Sequence, residues 1–572
     1  MPGTNGRPWF FRHGPLLLVV LSAVALRMLG LRHGLGWHVD ESSIIGDITN
    51  LSWDNLKPRG FVYGGLLYYI PWFVARLGLH PADFKDWLVL ARSLSAFYGC
   101  LAVLLTYALA RALDRSRGIA LTAAVLLAFN PLHIQLSHFY LSDGLVTTAG
   151  LAVLLLTVLY LRSERPRDLL FAALMLGIAL ACKVSALTLM LPLCAAMLLV
   201  QIKKRRLPRR EFLWWGAALV LVALTACVLQ PYALLDYSRF LSDVRGQIEM
   251  VSGRGRAPWN NQYIGTAAYL YPLQHVLRYT MSWPVLCMAL LGLAAACFKQ
   301  LKRFNAAEFV LLLWLLCSFA VVGKYEVKFA RYYLPFFPLL LFFAADACRL
   351  WAAPPLSRVQ QRLQAAALSI LAVWGACCGL AFARIYTEPH VFVSASEWIC
   401  DSIVPESTIL QINWDPELPQ CAHLARVPHY RMEVPEWRLD LYEMPQNEKA
   451  LRQLSEQLSQ GDFLVFPTSR AFRGVLQVPE MYPVSAPLLR LLTTGKIGYR
   501  LHSSFKVRPR LGPLVFNDDL ADESFVIHDH PKVLFFENRE RFDAETIQER
   551  VRHADDFAPL PSLGEVLSMN WE

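Results

Sequence analysis

Apolar runs of about 20 residues follow one another from residue 14 to residue 385, separated by short segments rich in charge or proline, and beyond residue 385 the pattern stops. A helix of that length crosses the hydrocarbon core of a bilayer. The runs predict about eleven spans, at 14–31, 88–112, 118–136, 142–162, 168–183, 185–201, 212–231, 281–299, 308–323, 332–351 and 364–385. Two of the intervening loops are long, 32–87 and 232–280. The first holds an amphipathic stretch after Asp40 and an apolar, aromatic stretch at 61–79, which Gly64, Gly65 and Pro71 interrupt. That stretch is read as lying along the membrane interface, because counting it as a span would invert every later loop. The second long loop contains a glycine-rich segment at 252–258, followed by Trp259, Asn260, Asn261, Gln262 and Tyr263. Past residue 385, β-branched runs at 408–412, 463–466 and 533–536 flank a charged helical stretch at 447–460. This alternation predicts a small α/β domain. The expected organisation is a mostly α transmembrane bundle over 1–385 and a soluble α/β domain over 386–572.

Composition sharpens this picture. Of 572 residues, 55% are apolar and 17% charged, which excludes a soluble globular protein of that length. The formal charge of +10 invites a nucleic-acid reading, yet the basic residues gather in the short loops 111–117, 162–167, 203–210, 299–303 and 349–362 rather than along one surface. No nucleic-acid partner is expected. With the N-terminus inside, all five loops are cytoplasmic and one assignment satisfies the positive-inside rule. Arg7 and Arg12 precede the first run, and no clear cleavage site follows it, so it reads as a retained signal anchor. An odd number of spans then places the C-terminal domain outside. Most of the twelve cysteines lie inside apolar runs as small hydrophobes, without CxxC spacing. Cys400 and Cys421 lie in the soluble part and are candidates for pairing there. There is no internal or inverted repeat, which counts against a transporter built from two related halves.

Acidic residues on the outer side next to spans are the first candidates for chemistry, since a carboxylate near lipid is costly unless a partner or a function keeps it. Asp40 and Glu41 follow Trp37, His38 and Val39 just beyond the first span. The alternative reading makes Asp40 a helix cap, with Glu41 in the first turn. Asp143, within the segment Ser142, Asp143, Gly144, sits where the third span gives way to the fourth, and capping is again the alternative. His133 and His138 are five residues apart, which does not put them on one helix face as metal ligands. Lys183 is a single cation between two apolar runs at an outer turn; it either snorkels to the interface or meets a phosphate there. Lys324, Lys328 and Arg331 form a second basic group on the outer side, against the positive-inside tendency. A lipid-linked phosphate would supply the partner they need.

In this order the motifs resemble the GT-C class of membrane glycosyltransferases, in particular the dolichyl-phosphate-mannose protein mannosyltransferases and the bacterial aminoarabinose (lipid A) transferases that use undecaprenyl-phosphate-linked donors. The resemblance rests on Asp40-Glu41 in the first outer loop and on Ser137 and Ser142 leading into Asp143-Gly144. It rests further on Gly177, Ala179 and Lys183, and on Arg331-Tyr332-Tyr333-Leu334-Pro335 followed by Pro338. It covers roughly residues 14–350 and leaves the C-terminal domain without a signature. It implies transfer of a single sugar from a polyprenyl-phosphate carrier to an extracytoplasmic acceptor, a protein, lipid or glycan, with inversion. Catalytic roles would fall to Asp40, Glu41 and Asp143, with Asp40 as general base. Lys183, Arg331, Lys324 and Lys328 would hold the donor phosphate, and Tyr63, Tyr68, Tyr140 and Tyr332 would line the cavity. No cofactor is implied with certainty; some members use a divalent cation, which Asp40 and Asp143 would then hold. The expected location is the inner (plasma) membrane, with the site on the periplasmic face. A transporter or flippase of lipid-linked sugars and a polysaccharide ligase are the competing readings.

Overall fold

The computed structural model describes residues 9–204, 209–255, 257–350, 357–420, 437–557 and 559–569. Cys421, and with it any pairing to Cys400, lies outside the described residues. The chain is mostly helical and forms two compact units. One comprises Met1–Ile248, Pro272–Lys324 and Ala330–Ala383; the other comprises Glu249–Tyr271, Tyr325–Phe329 and Arg384–Glu572.

In the first unit every predicted span has a helical counterpart, but length separates them. Among the described residues, six helical segments are long and apolar enough to cross a membrane: Phe84–Ala112, Ser142–Ser163, Val184–Lys204, Arg210–Leu229, Trp283–Lys302 and Arg358–Ser402. A seventh results if the bent pair Arg117–Ala128 and Pro131–His138 counts as one span. Length and composition therefore support fewer spans than the eleven expected. Helices Pro166–Cys182 and Ala306–Val322 have 17 residues each and Phe337–Ala347 has 11. At about 1.5 Å per residue these fall short of the roughly 30 Å hydrocarbon core. Ahead of the last of them runs the 3₁₀ turn Ala330–Phe336, which contains Pro335, and Pro338 sits in the first turn of the α-helix, where its missing N–H costs no intrahelical bond. Residues 65–79 form helix Gly65–Val74 and a π turn, Ala75–Leu79.

The bent pair shows how the first unit satisfies its own backbone. Pro131 has no N–H to give to the carbonyl of Leu127, so the helix breaks there, with a bend of 53°. Arg27, fully buried on helix Trp9–Met28, donates to the carbonyls of Leu127 at 3.3 Å and Ala128 at 3.0 Å, to the Ala23 carbonyl of its own helix at 3.1 Å, and meets His133 Nδ1 at 2.6 Å. His133 is thereby part of the break rather than of a metal site. Small residues permit close helix packing. A Cβ on Gly292 would meet the carbonyl oxygen of Phe343 at 2.0 Å, and one on Gly379 that of Phe129 at 2.2 Å.

The second unit is an α/β domain. Its strands are β1 (Ile409–Ile412), β2 (Arg438–Leu439), β3 (Phe463–Phe466), β4 (Tyr499–Phe505), β5 (Arg510–Leu511), β6 (Leu514–Val515) and β7 (Val533–Asn538). The main sheet has the order β2-β1-β3-β7-β4; β1 runs parallel to β2 and β3, and β7 runs antiparallel to β3 and β4. β1 is buried along its whole length and β3 and β7 nearly so, as continuous apolar strands covered on both faces should be. Helix Glu448–Gln460 contributes Leu451, Leu454 and Leu458 to this core. β5 and β6 form a separate hairpin.

Two loop segments read from hydropathy as parts of the membrane portion, 249–271 and 325–329, pack with this second unit. Asn261 Nδ2 donates to Tyr482 Oη at 2.6 Å, Tyr271 Oη donates to Asp522 at 2.9 Å, and the Glu326 N–H reaches the Val251 carbonyl at 2.8 Å. Their polar aromatic side chains find partners in the α/β domain that no local pattern foretells.

Candidate active site

Asp40 lies in the first turn of helix Val39–Thr49. The helix begins where His38 turns extended, with its Nδ1 accepting the Glu41 N–H at 3.4 Å. Burial pushes His38 down to about 4 against the pull of Asp40 and Glu41, so the ring is neutral and its nitrogen is free to accept. His38, not Asp40, is therefore the cap. The Asp40 carboxylate is left to pair with Nη1 of Arg331, from the 3₁₀ turn Ala330–Phe336. Tyr63 hydrogen-bonds the same carboxylate. Burial raises the Asp40 carboxyl, but attraction to Arg331, then to His38, and the hydrogen bonds from Arg331 and Tyr63 outweigh it and bring it down to about 2. Its side chain stays 31% exposed, so it is reachable. Burial and the Asp40 charge push Tyr63 well above its usual value, which keeps the phenol a donor.

A second ion pair stands beside the first. Helix Pro166–Cys182 ends at Lys183, whose extended backbone turns the chain into the 3₁₀ segment Val184–Leu189. Lys183 Nζ donates to Asp143 Oδ1 at 2.7 Å, and Asp143 occupies the first turn of helix Ser142–Ser163. Tyr332 links the pairs. Lys183 Nζ lies 5.5 Å from its ring centroid and the Arg331 guanidinium carbon 5.8 Å. Asp143 also acts electrostatically on Tyr63 and Tyr332. Gly64 makes the approach of the Tyr63 loop possible. Its N–H donates to the Cys182 carbonyl at 3.0 Å, and a Cβ there would fall 2.1 Å from the Ala181 oxygen. Asp40, Tyr63, Asp143, Lys183, Arg331 and Tyr332, contributed by five separate stretches of the first unit, thus form one constellation of two carboxylates, two cations and two phenols.

Other expected members go elsewhere. Glu41 is 0% exposed and faces away: its oxygens accept from Arg92 Nε at 2.9 Å and Nη2 at 2.6 Å, and from the Tyr140 N–H at 2.9 Å. The remaining N–H groups of Arg92 go to the carbonyls of Leu31, His33 and Gly34. Every group of this pair is satisfied inside the protein, and through Arg92 the pair holds the first outer loop. Tyr140 is buried with its hydroxyl on the Leu67 carbonyl at 2.7 Å, and Tyr68 is buried within electrostatic reach of Asp47 and Asp243. Neither lines the constellation. Lys324 is exposed. Lys328 belongs to the second unit, where its buried Nζ donates to Thr266 Oγ1 at 3.0 Å and to the Glu326 carbonyl at 2.9 Å. Arg92 was not singled out from the sequence, and Gly64 only as a break in the apolar stretch 61–79. Arg92 did carry a signal, as a lone cation near the start of the apolar run 88–112 that needs a partner.

Among the described residues no group of three or more His, Cys, Asp and Glu side chains gathers around a common point. Asp40 and Asp143 each already face a cation, so this donor set balances its own charge and does not fit a divalent ion.

Residues 68–229 match the family model described as dolichyl-phosphate-mannose-protein mannosyltransferase, inside the region where the sequence resembles that class. No curated protein sequence matches the chain. Among solved structures, the chain is similar to the oligosaccharyltransferase of Archaeoglobus fulgidus in its apo form, with 13% identity and a TM-score of 0.49 over 91% of this chain and 78% of that one. It is also similar to ArnT from Cupriavidus metallidurans bound to undecaprenyl phosphate, with 14% identity and a TM-score of 0.47 over 68% and 72%. A third similarity is to the arabinosyltransferase EmbB from Mycobacterium smegmatis, with 14% identity and a TM-score of 0.40 over 68% and 40%.

Proposed function

We propose that this chain is an integral-membrane glycosyltransferase that moves one sugar from a polyprenyl-phosphate carrier to an acceptor on the far side of the membrane from its N-terminus, with inversion at the anomeric carbon. The observation that carries this reading is the Asp40–Arg331 and Asp143–Lys183 constellation around Tyr332. The family match over residues 68–229, which include Asp143 and Lys183, supports it.

In this reading the acceptor hydroxyl attacks the anomeric carbon, its proton passes to Asp40, and the bond from that carbon to the phosphate oxygen breaks. The carrier phosphate leaves as an anion, so it needs no strong acid; Arg331 and Lys183 stabilise its growing charge. Held at about 2, Asp40 is ionised at neutral pH but weakly basic. When Arg331 shares its charge with the donor phosphate, the attraction that holds Asp40 down weakens and its basicity rises. Donor binding thus prepares the base. Asp143 orients Lys183, and Glu41 acts only through Arg92 and the Tyr140 N–H. Direct displacement by a single base inverts the centre.

The test is transfer from a radiolabelled polyprenyl-phosphate sugar in membranes that hold the wild-type chain or Asp40→Asn. Label reaching an acceptor only with the wild type supports the reading. Equal transfer by both removes Asp40 from the chemistry, and no transfer by either across a panel of donors favours a transporter of lipid-linked sugars.

A further inference from the structure

The second unit contains a cavity of about 640 Å³ that none of the residues of the Asp40–Asp143 constellation line. Five cations line it, Arg384, Lys506, Arg508, Arg510 and Lys532, with Glu388 the one carboxylate on its wall. A cavity of this size holds a small ligand or a headgroup. The balancing charge stands mostly behind the wall. Asp519 alone serves Lys506, Arg508 at 3.0 Å and Lys532 at 3.1 Å, and its side chain is buried, as is that of Asp518, which Lys506 meets at 2.8 Å. Glu388 serves both Arg384 at 2.6 Å and Arg510 at 3.4 Å. Three carboxylates thus face five cations. The side chains of Arg384 and Arg510 remain about half exposed. Ser394, in the first turn of helix Val391–Ser402, adds a hydroxyl donor to the wall.

The cavity also has an apolar lip. Val515, which lines it, and Leu514 beside it stand exposed on the β5–β6 hairpin. A soluble anion has no use for such side chains, whereas a lipid presents acyl chains one glycerol unit away from its phosphate. Arg384 moreover follows directly on helix Arg358–Ala383, an apolar helix of membrane length, so the chain reaches this wall as it leaves that helix. We propose that this cavity binds a phosphate-bearing ligand, and that the ligand is the headgroup of an anionic membrane lipid, with the guanidinium groups on the phosphate and the hairpin against the first acyl carbons.

The test uses the full chain in phosphatidylcholine nanodiscs, titrated with dioctanoyl-phosphatidylglycerol, dioctanoyl-phosphatidylcholine or inorganic phosphate. The expected result is saturable binding of the phosphatidylglycerol at least tenfold tighter than of the phosphatidylcholine. The double variant Arg384→Gln/Arg510→Gln should lose about tenfold in that affinity, as expected for two charge-assisted contacts at a partly exposed site, while Arg500→Gln, an exposed pair elsewhere in the unit, should not. Leu514→Ser/Val515→Ser should weaken the lipid severalfold and leave any phosphate binding unchanged. Both arginines and both hairpin residues are exposed, so wild-type melting temperatures are expected throughout. Undiminished lipid binding in the arginine variant would overturn the site. Inorganic phosphate binding as tightly as the lipid, with no effect of the hairpin variant, would overturn the assignment to a lipid.

Discussion

Asp40 and Glu41 are adjacent in the chain, equally acidic, and opposite in what surrounds them. Successive positions on an α-helix point about 100° apart, so helix Val39–Thr49 turns one carboxylate toward Arg331 and the other toward Arg92. The Asp40 pair is partly open and has one cation to share, so a ligand can compete for its members. The Glu41 pair is closed: Arg92 spends all its N–H groups on Glu41 and three backbone carbonyls. The contrast teaches that an ion pair near a membrane surface is a catalytic candidate only when its charges remain exchangeable. A fully satisfied pair is scaffold, however close to the site it stands.

The largest effect that tests this contrast is on transfer. Asp40→Asn should lower the rate by about 10²- to 10⁴-fold, the contribution of a positioned base, with unchanged amounts of folded protein by size-exclusion chromatography in detergent. Glu41→Gln should do the reverse, losing folded protein first. Breaking a buried pair costs about 3–5 kcal/mol, and replacing both partners with apolar groups of similar size recovers most of it. Glu41→Leu/Arg92→Met removes the lone buried charge but leaves the Tyr140 N–H and the Leu31, His33 and Gly34 carbonyls without their partners, so it should recover only part of the melting temperature that Glu41→Leu loses, and a double variant as stable as the wild type would show that Arg92 does not hold the loop. Lys183→Ala should lower kcat/KM for the donor about 10- to 100-fold, a loss of one phosphate-stabilising contact, with Lys183→Arg recovering part of it. Gly64→Ala should reduce transfer about tenfold by pushing the Tyr63 loop off the Ala181 carbonyl, since misplacement of about 1 Å is costly in a positioned site.

The smallest effect concerns pH. Asp40 is held down at about 2, so its pair with Arg331 supports the folded state above the ordinary carboxylate value, and this support is lost only as pH falls from about 4 through about 2. Wild-type transfer should show no Asp40-dependent fall between pH 7 and pH 5. In Arg331→Gln the burial that raises this carboxyl acts unopposed by its main partner, and the acid limb of the residual activity should move upward. An unmoved limb would mean that Arg331 does not control Asp40.

Much of this arrangement was legible along the chain. The strands at 409–412, 463–466 and 533–538 were visible as β-branched and aromatic runs, and Asp40, Asp143, Lys183 and Arg331 stood out as charges beside apolar segments. β4 was not legible, because Tyr499–Phe505 is an edge strand with polar residues on its open face and resembles a loop. Burial of Tyr68 and Tyr140 was not legible, because aromatic residues near a site look alike in sequence whether they face a cavity or, as Tyr140 does, bury a hydroxyl on a backbone carbonyl.

The sequence by itself determined the helical membrane portion, the α/β character of the C-terminal part and the order of the charged motifs. These depend on local periodicity and on the length of apolar runs, which neighbouring residues settle among themselves. Only the tertiary structure decided that Asp40 meets a cation 291 positions away while Glu41 meets one 51 positions away, and that residues 249–271 and 325–329 join the α/β unit. Partner choice over such separations follows from how helices pack and which polar groups are left to satisfy, a balance summed over the whole fold that no local window contains.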